Sequence, residues 1–377
     1  MSIHWSRREW LTTTSLGVLA LSGRRAHAQS KQVILGISVP ITGDEAQYGL
    51  DIRQGAELAI EQSNQQNVVP GLTFVGVVED SRSDPKEAAN VAQKFAARGD
   101  VLAVVGDFSS TPCLAAAPIY QRNGIIMMTP TASHPDITKT GDYIFRDTPI
   151  AAGEVGAVTD WAAELGAKRV GVIGRNDDYG RAYAEIFRAN SVKFGANVLS
   201  VDFINPGEQD FKPLITGLRA RTPDTVMLAL FQVEAALLFQ QARDMNFHPT
   251  FMSGAGLFNP QLLELAGQAA NGLLLVSAYF PGSSNPQVRA FVPAFQAKYG
   301  KVPSKFSAQA YDAARLIIDA IRRSGTTDRV KVRAALAETK NFHGVVGDIT
   351  IGPDREIKLV LSRLKVADAK FVEWTKG

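Results

Sequence analysis

The amino-acid sequence predicts an α/β protein made of two doubly wound parallel-sheet lobes that are joined by short hinge strands. Short apolar, β-branched runs alternate with amphipathic segments, a pattern typical of parallel sheets covered by helices. This alternation restarts near residue 170. The chain also has 377 residues, and a single hydrophobic core rarely grows beyond about 250–300 residues. We therefore expect two lobes of similar size.

The first half of the chain contains short apolar runs that predict buried strands, with predicted helices between them. Residues 33–39 form an apolar run that ends at Pro40, as expected for a buried parallel strand. Asp84 and Pro85 predict the start of a helix, because Asp is a good N-cap and Pro is tolerated at the first helical position. The other elements predicted here are strands over 72–78, 101–105 and 125–128 and helices near 48–64 and 115–122.

The second half repeats this pattern. Its predicted strands are 170–173, 198–203, 225–230, 250–252 and 273–276, and its predicted helices lie near 183–194, 212–220, 234–246 and 260–265. Two amphipathic helices over 306–323 and 330–338 follow, and 357–366 with 371–374 is predicted to be a closing hairpin. We expect 30–148 plus 278–348 to form the N-terminal lobe, and 149–277 plus 349–377 to form the C-terminal lobe.

Residues 1–28 are predicted to be an export signal rather than part of the fold. Arg7 and Arg8 precede a short, modestly apolar run, and residues 26–28 have the small-x-small pattern of a cleavage site. The paired arginines resemble those of twin-arginine signals, and the general secretory route is the alternative. We expect cleavage after Ala28 and a location in the periplasm.

The excess positive charge of the chain lies in this predicted signal. The whole chain has a formal net charge of +3. Removing residues 1–28 takes away four of the 40 basic residues and one of the 37 acidic residues, which leaves 36 of each. The remaining chain is formally neutral, so we expect no basic surface for nucleic acid and no nucleic-acid partner.

The sequence lacks the residue patterns of catalytic and metal centres. The histidines after residue 28 are His134, His248 and His343, and none has metal-ligand spacing to another. Nucleophile-elbow and phosphate-loop motifs are absent. The single cysteine, Cys113, excludes an internal disulfide, and a lone cysteine is usually a core residue. We predict no enzymatic activity, no cofactor and no metal.

Polar turns follow several of the predicted strands. Residues 106–111 lead from a strand into a helix and offer free backbone N–H groups and hydroxyls, which suit a carboxylate; simple N-capping is the alternative. Residues 129–133 form a second hydroxyl-rich turn, while Tyr48 and residues 178–180 follow the first strand of each lobe. Ligands of open α/β sheets bind beyond the carboxyl ends of the strands. We therefore expect a small carboxylate to bind at this edge.

Eight short motifs occur in a characteristic order along the chain. They are Val39-Pro40-Ile41-Thr42-Gly43, Ala46-Gln47-Tyr48-Gly49, Asp84-Pro85-Lys86, Gly106 with Ser109-Ser110, Thr129-Pro130-Thr131-Ala132-Ser133, Phe145-Arg146, Asp178-Tyr179-Gly180 and Asp210-Phe211. Through them the chain resembles the leucine/isoleucine/valine-type substrate-binding proteins of ABC importers, from about residue 33 to the C-terminal region. The resemblance implies the type I periplasmic binding fold, whose lobes close on a ligand and deliver it to permease subunits. We expect a monomer.

The resemblance also implies roles for individual residues. Ser110 and Ser133 should hydrogen-bond the ligand carboxylate, and Thr131 should offer its backbone carbonyl. The aromatic walls implied for the site are Tyr48, Phe108 and Phe306 in the first lobe and Tyr179 and Phe231 in the second. For Phe231 and Phe306, core packing is the alternative.

One position departs from the family pattern. Where amino-acid binders of this family have a glutamate that pairs with the ligand ammonium, this chain has Ala255. Burying an unpaired ammonium costs several kcal/mol. Glu234 and Asp107 are candidate replacements, although surface charges are the favoured interpretation of both. Two classes of ligand therefore remain. One is a branched-chain or related amino acid, and the other is an aromatic acid, a keto acid or an amide that has no ammonium group. A ligand sensor on the same fold is a further alternative.

Overall fold

The computed structural model describes residues 30–375. The predicted export signal and its cleavage after Ala28 lie outside these residues. Two sheets form the centres of two lobes, which confirms the predicted α/β class. The lobe limits expected from the sequence stay a prediction. In the part of the chain that the structure describes, no helix is both long enough and apolar enough to cross a membrane.

The first lobe contains a parallel sheet in the strand order β2-β1-β3-β4-β5. Its strands are β1 (Lys31–Val39), β2 (Leu72–Asp80), β3 (Val101–Gly106), β4 (Ile126–Thr129) and β5 (Ile144–Arg146). Its helices are α1 (Ala46–Gln65), α2 (Pro85–Arg98) and α3 (Ser110–Arg122). Strands β3 and β4 are buried along their whole length, because helices cover both faces of the sheet. The predicted start of α2 is confirmed, since the Asp84 carboxylate accepts hydrogen bonds from the N–H groups of Lys86 and Glu87.

The second lobe contains a sheet in the order β14-β13-β10-β9-β8-β6-β7. Its parallel strands are β6 (Arg169–Arg175), β7 (Asn197–Ile204), β8 (Thr225–Ala229), β9 (Thr250–Ser253) and β10 (Leu274–Ser277). Its helices are α4 (Ala151–Glu164), α5 (Asp178–Lys193), α6 (Lys212–Arg221), α7 (Gln232–Asp244) and α8 (Pro260–Ala266).

The chain then returns to the first lobe before it ends in the second. Helices α9 (Pro286–Tyr299), α10 (Lys305–Ser324) and α11 (Arg329–Ala337) follow β10. Gly55 lets α10 approach α1 closely, because a Cβ atom at this position would lie 2.0 Å from the Ser307 carbonyl oxygen. After a short pair, β11 (Phe342–His343) and β12 (Asp348–Ile349), the predicted closing hairpin is found as β13 (Ser362–Ala367) and β14 (Lys370–Glu373).

Strand β5 and helices α4 and α9 were not predicted and helix α3 starts earlier than predicted, and each difference has a local reason. Strand β5 is only three residues long. Helix α4 begins after Ile150, which offers no side-chain cap, and α9 contains Pro293. Helix α3 starts five residues earlier than its predicted start at residue 115 and carries Pro118 in its interior. These starts matter because they position residues of the cleft.

Candidate ligand-binding cleft

A small cavity lies between the lobes, beyond the carboxyl ends of their strands. Its lining residues are Phe108, Ser109, Ser110, Thr131, Ala132, Ser133, Glu154, Tyr179, Tyr183, Phe231, Gly256, Lys305 and Phe306. Seven of the nine residues predicted for the site are among them. The other two, Tyr48 and Ala255, line cavities on either side of it.

The turns after β3 and β4 are tied together at one end of this cavity. The Ser110 Oγ atom accepts a hydrogen bond from the His134 N–H at 3.3 Å, and the Thr131 hydroxyl donates to the Phe108 carbonyl at 2.5 Å. Ser109 makes no side-chain capping bond to α3, so the simple N-capping alternative is not what this turn shows. Ser110 and Ser133 are both buried, which shields any hydrogen bond they make from water.

Asp107 lies behind the first turn rather than in the cavity. Its carboxylate accepts hydrogen bonds from the Ser38 hydroxyl at 3.1 Å and from the Phe108 N–H at 2.6 Å. Burial raises the pKa of Asp107 to about 7. The interpretation of Asp107 as a surface charge was therefore wrong, because the turn folds over its side chain. Cys113 is buried beside it, as predicted for a core cysteine.

Two stacked aromatic pairs face each other across the cleft. Tyr48 stacks on Phe108 with ring centroids 4.3 Å apart, and Tyr179 stacks on Phe231 with centroids 5.1 Å apart. The Phe108 and Phe231 rings meet at 5.0 Å between the lobes. Phe306 closes the first pair, with its centroid 4.7 Å from that of Tyr48. All five rings are buried, and they form an apolar wall around the cavity.

Polar contacts also join the lobes directly. The Tyr48 hydroxyl accepts a hydrogen bond from the Gln232 N–H at 2.9 Å, and the Asp178 N–H donates to the Thr111 hydroxyl at 3.3 Å. Arg175 at the end of β6 forms an ion pair with Glu45, which precedes α1. The lobes are therefore in contact around the cavity.

Glu234 belongs to this ion-pair cluster. Its carboxylate lies 3.5 Å from Arg175 Nε, and the Arg175 guanidinium lies 4.5 Å from the centroid of the Phe231 ring. Glu234 is buried and lines the same neighbouring cavity as Tyr48. The surface-charge interpretation was wrong here as well, because the first turn of α7 faces the other lobe. Glu234 does not reach the cavity that contains Ser110.

The acid that does line this cavity is Glu154, which sequence reasoning missed. One carboxylate oxygen accepts a hydrogen bond from the Ala255 N–H, and the other accepts one from the Tyr183 hydroxyl at 2.9 Å. A Cβ atom at Gly254 would lie 2.4 Å from the first of these oxygens, so glycine leaves the space that the carboxylate fills. Glu154 thus lies against Ala255, the position where the family pattern has its glutamate.

Lys305 was missed too. It is the first residue of α10 and is 5% exposed, and its Nζ lies 4.7 Å from the centroid of the Phe306 ring. Burial lowers the pKa of Lys305, while the charge of Glu154 acts in the opposite direction. Glu154 and Lys305 also line a neighbouring small cavity that contains Ala255. No motif in the sequence marks either residue, although each stands in the first turn of a helix.

This two-lobed geometry agrees with the comparison to protein families. The family described as "Periplasmic binding protein" matches residues 32–370. The chain belongs to this family. Members of the family are periplasmic binding proteins, and the curated relatives are named as binding proteins rather than as enzymes, as predicted.

Three similar proteins illustrate the relationship of this periplasmic binding protein to others. The "Leucine-, isoleucine-, valine-, threonine-, and alanine-binding protein" of Pseudomonas aeruginosa is 31% identical over 363 residues, which cover 95% of this chain and 94% of the relative. The leucine binding protein LivK from Thermotoga maritima is 31% identical with a TM-score of 0.86, covering 91% of this chain and 98% of that one. LivJ from Streptococcus pneumoniae, solved in complex with isoleucine, is 26% identical with a TM-score of 0.85, covering 90% and 98%.

Proposed function

We propose that the chain is the substrate-binding component of an ABC importer, and that its lobes close on a branched-chain amino acid or a related small carboxylate. The observation that carries this proposal is the cavity between Ser110 and Ser133 in one lobe and Tyr179 in the other. Turns that contain hydroxyl groups thus face an aromatic residue across the cleft between the lobes.

The polar end of the cavity suits a carboxylate. Ser110 begins the 13-residue helix α3, and the first N–H groups of a helix have no partner within the helix and attract negative charge. The hydroxyls of Ser110 and Ser133 are buried at the same end. Hydrogen bonds to a charged group are worth about 1.5–3 kcal/mol each, which is enough to orient a small acid.

The contacts between the lobes support closure as the binding event. The Tyr48–Gln232 hydrogen bond and the Arg175–Glu45 ion pair form only while the lobes are together. A ligand that touches both lobes adds contacts to this state alone, and it shifts the equilibrium toward closure. The closed form is then the one that the permease subunits receive.

The relatives support the choice of ligand class. The Pseudomonas relative is named for binding leucine, isoleucine, valine, threonine and alanine, and the Streptococcus structure contains isoleucine. Export to the periplasm after cleavage at Ala28 and action as a monomer belong to the same proposal.

A thermal-shift panel of the purified chain tests this function. A ligand that binds only the folded chain adds about 2.7 kcal/mol to the free energy of unfolding at a concentration of 100 times Kd. We expect at least one member of a panel of aliphatic amino acids, 2-oxo acids, aromatic acids and amides to raise the Tm. Monosaccharides serve as controls and should leave the Tm unchanged. A panel in which no carboxylate has any effect would overturn the proposal.

A further inference from the structure

The cleft contains a buried lysine, Lys305, that makes no direct polar contact within the described residues. Within residues 30–375, Lys305 Nζ makes no hydrogen bond, and no carboxylate oxygen lies within 4.0 Å of it. Lys305 Nζ lies over the face of the Phe306 ring, 4.7 Å from its centroid. A buried charge is strongly disfavoured unless it is paired. An anion from outside the protein would pair with the charge of this side chain.

A second donor in the same cavity is also unsatisfied. The Tyr179 hydroxyl is buried and has no hydrogen-bond partner in the described part of the chain, and a Cβ atom at Gly256 would lie 2.5 Å from it. The absence of a side chain at Gly256 therefore leaves room for this hydroxyl. Two unsatisfied donors at one cavity match a ligand rich in acceptor oxygens.

The only acid among the residues lining this cavity already accepts hydrogen bonds from the protein. Both oxygens of Glu154 accept hydrogen bonds from the protein, from the Ala255 N–H and the Tyr183 hydroxyl. Glu154 and Lys305 line the same two cavities, so their charges act on one another without a direct ion pair. A ligand ammonium at this position would meet the like charge of Lys305.

We infer that the ligand is an organic acid without an α-ammonium group, and that Lys305 is its counter-ion. This inference rests on the proposed function, because it specifies which carboxylates the same cleft selects. The carboxylate binds between the Ser110 end of the cavity and Lys305, and a further oxygen on the ligand accepts from Tyr179. Both 2-oxo acids and aromatic acids have this chemistry, and the binding experiment separates them.

Calorimetric titration of the purified chain with matched ligands provides the first test. L-Leucine and 4-methyl-2-oxopentanoate share one carbon skeleton and differ in the amine and the ketone, and benzoate represents the aromatic acids. We expect 4-methyl-2-oxopentanoate or benzoate to bind about tenfold or more tightly than leucine. Tighter binding of leucine would overturn this inference and leave the proposed function intact. Absence of binding by all amino acids and acids would instead overturn the proposed function.

Substitution of the lysine provides the second test. Lys305→Met keeps the length of the side chain and removes the charge, so it should weaken binding of the preferred acid about tenfold or more while leaving leucine affinity unchanged or improved. Lys305→Arg should retain most of the affinity. Lys298→Met is the matched control, because Lys298 lies on α9 in an ion pair with Glu61 and should bind as the wild type does. Equal affinity of Lys305→Met and wild type for the acid would exclude Lys305 as the counter-ion.

Discussion

The Tyr48 hydroxyl accepts a hydrogen bond from the Gln232 N–H at 2.9 Å, and this bond joins the two lobes beside the cavity that contains Ser110. Tyr48 belongs to α1 of the first lobe, whereas Gln232 begins α7 of the second. The Tyr48 ring also stacks on Phe108 of its own lobe. One side chain thus contributes both to the aromatic wall of the cavity and to the contact between the lobes.

Tyr48→Phe is predicted to weaken ligand binding with little loss of stability. The ring keeps its stacking on Phe108, but the closed state loses one hydrogen bond, worth about 0.5–1.5 kcal/mol. Calorimetry should show a fall in affinity of about two- to tenfold. Tyr299→Phe is the control, because its hydroxyl donates to Gln54 within the first lobe. Equal losses in the two variants would contradict a role in closure.

Ser110→Ala is predicted to weaken carboxylate binding by about 1–3 kcal/mol, because a buried hydrogen bond to a charged group is lost. Ser63→Ala removes a buried hydroxyl that donates to the Ala59 carbonyl within α1, and it should leave affinity unchanged. Calorimetric titration of both variants with the same acid gives the comparison. Unchanged affinity of Ser110→Ala would remove this residue from the site.

Gly254→Ala is predicted to destabilise the chain, since the new Cβ atom would lie 2.4 Å from the Glu154 carboxylate. Overpacking of this kind costs about 1–3 kcal/mol, and the displaced carboxylate should also reduce ligand affinity. Gly156→Ala, on the same helix as Glu154, meets no atom within 4 Å and should be neutral or mildly stabilising. Urea unfolding measures the stability of both variants. A neutral Gly254→Ala variant would contradict the position assigned to Glu154.

Asp107 is predicted to make stability depend on pH. Its folded-state pKa is about 7, so between pH 4 and 7 the folded chain retains a proton that the unfolded chain has released. The free energy of unfolding therefore falls as the pH rises through this range. Asp107→Asn should lack this contribution, and the advantage of the wild type over the variant should shrink toward pH 7. Urea unfolding at several pH values tests this, and parallel pH profiles would be inconsistent with it.

Much of the fold and part of the site could be predicted from the sequence. Apolar runs indicate buried strands wherever they occur, and a parallel sheet brings the ends of such strands to one edge. This reasoning placed Ser110, Ser133 and Tyr179 at the edge where the cavity lies, because each belongs to the segment that follows a strand.

Glu154 and Lys305 could not be found in this way. Glu154 lies in a helix that has no polar cap and follows the crossing between the lobes, and Lys305 begins a helix after the chain has returned to the first lobe. Glu154 and Lys305 come to the same cavity only because the segments that connect the lobes fix how one lobe is oriented relative to the other. A local pattern contains no information about that placement.

Hydrogen–deuterium exchange with and without saturating 4-methyl-2-oxopentanoate tests the central claim, closure of both lobes on one carboxylate, most directly. We predict slower exchange in residues 108–113 and 131–134 of the first lobe and, at the same ligand concentration, in residues 179–183 and 231–235 of the second. Protection confined to one lobe, or located outside these segments, would contradict the account.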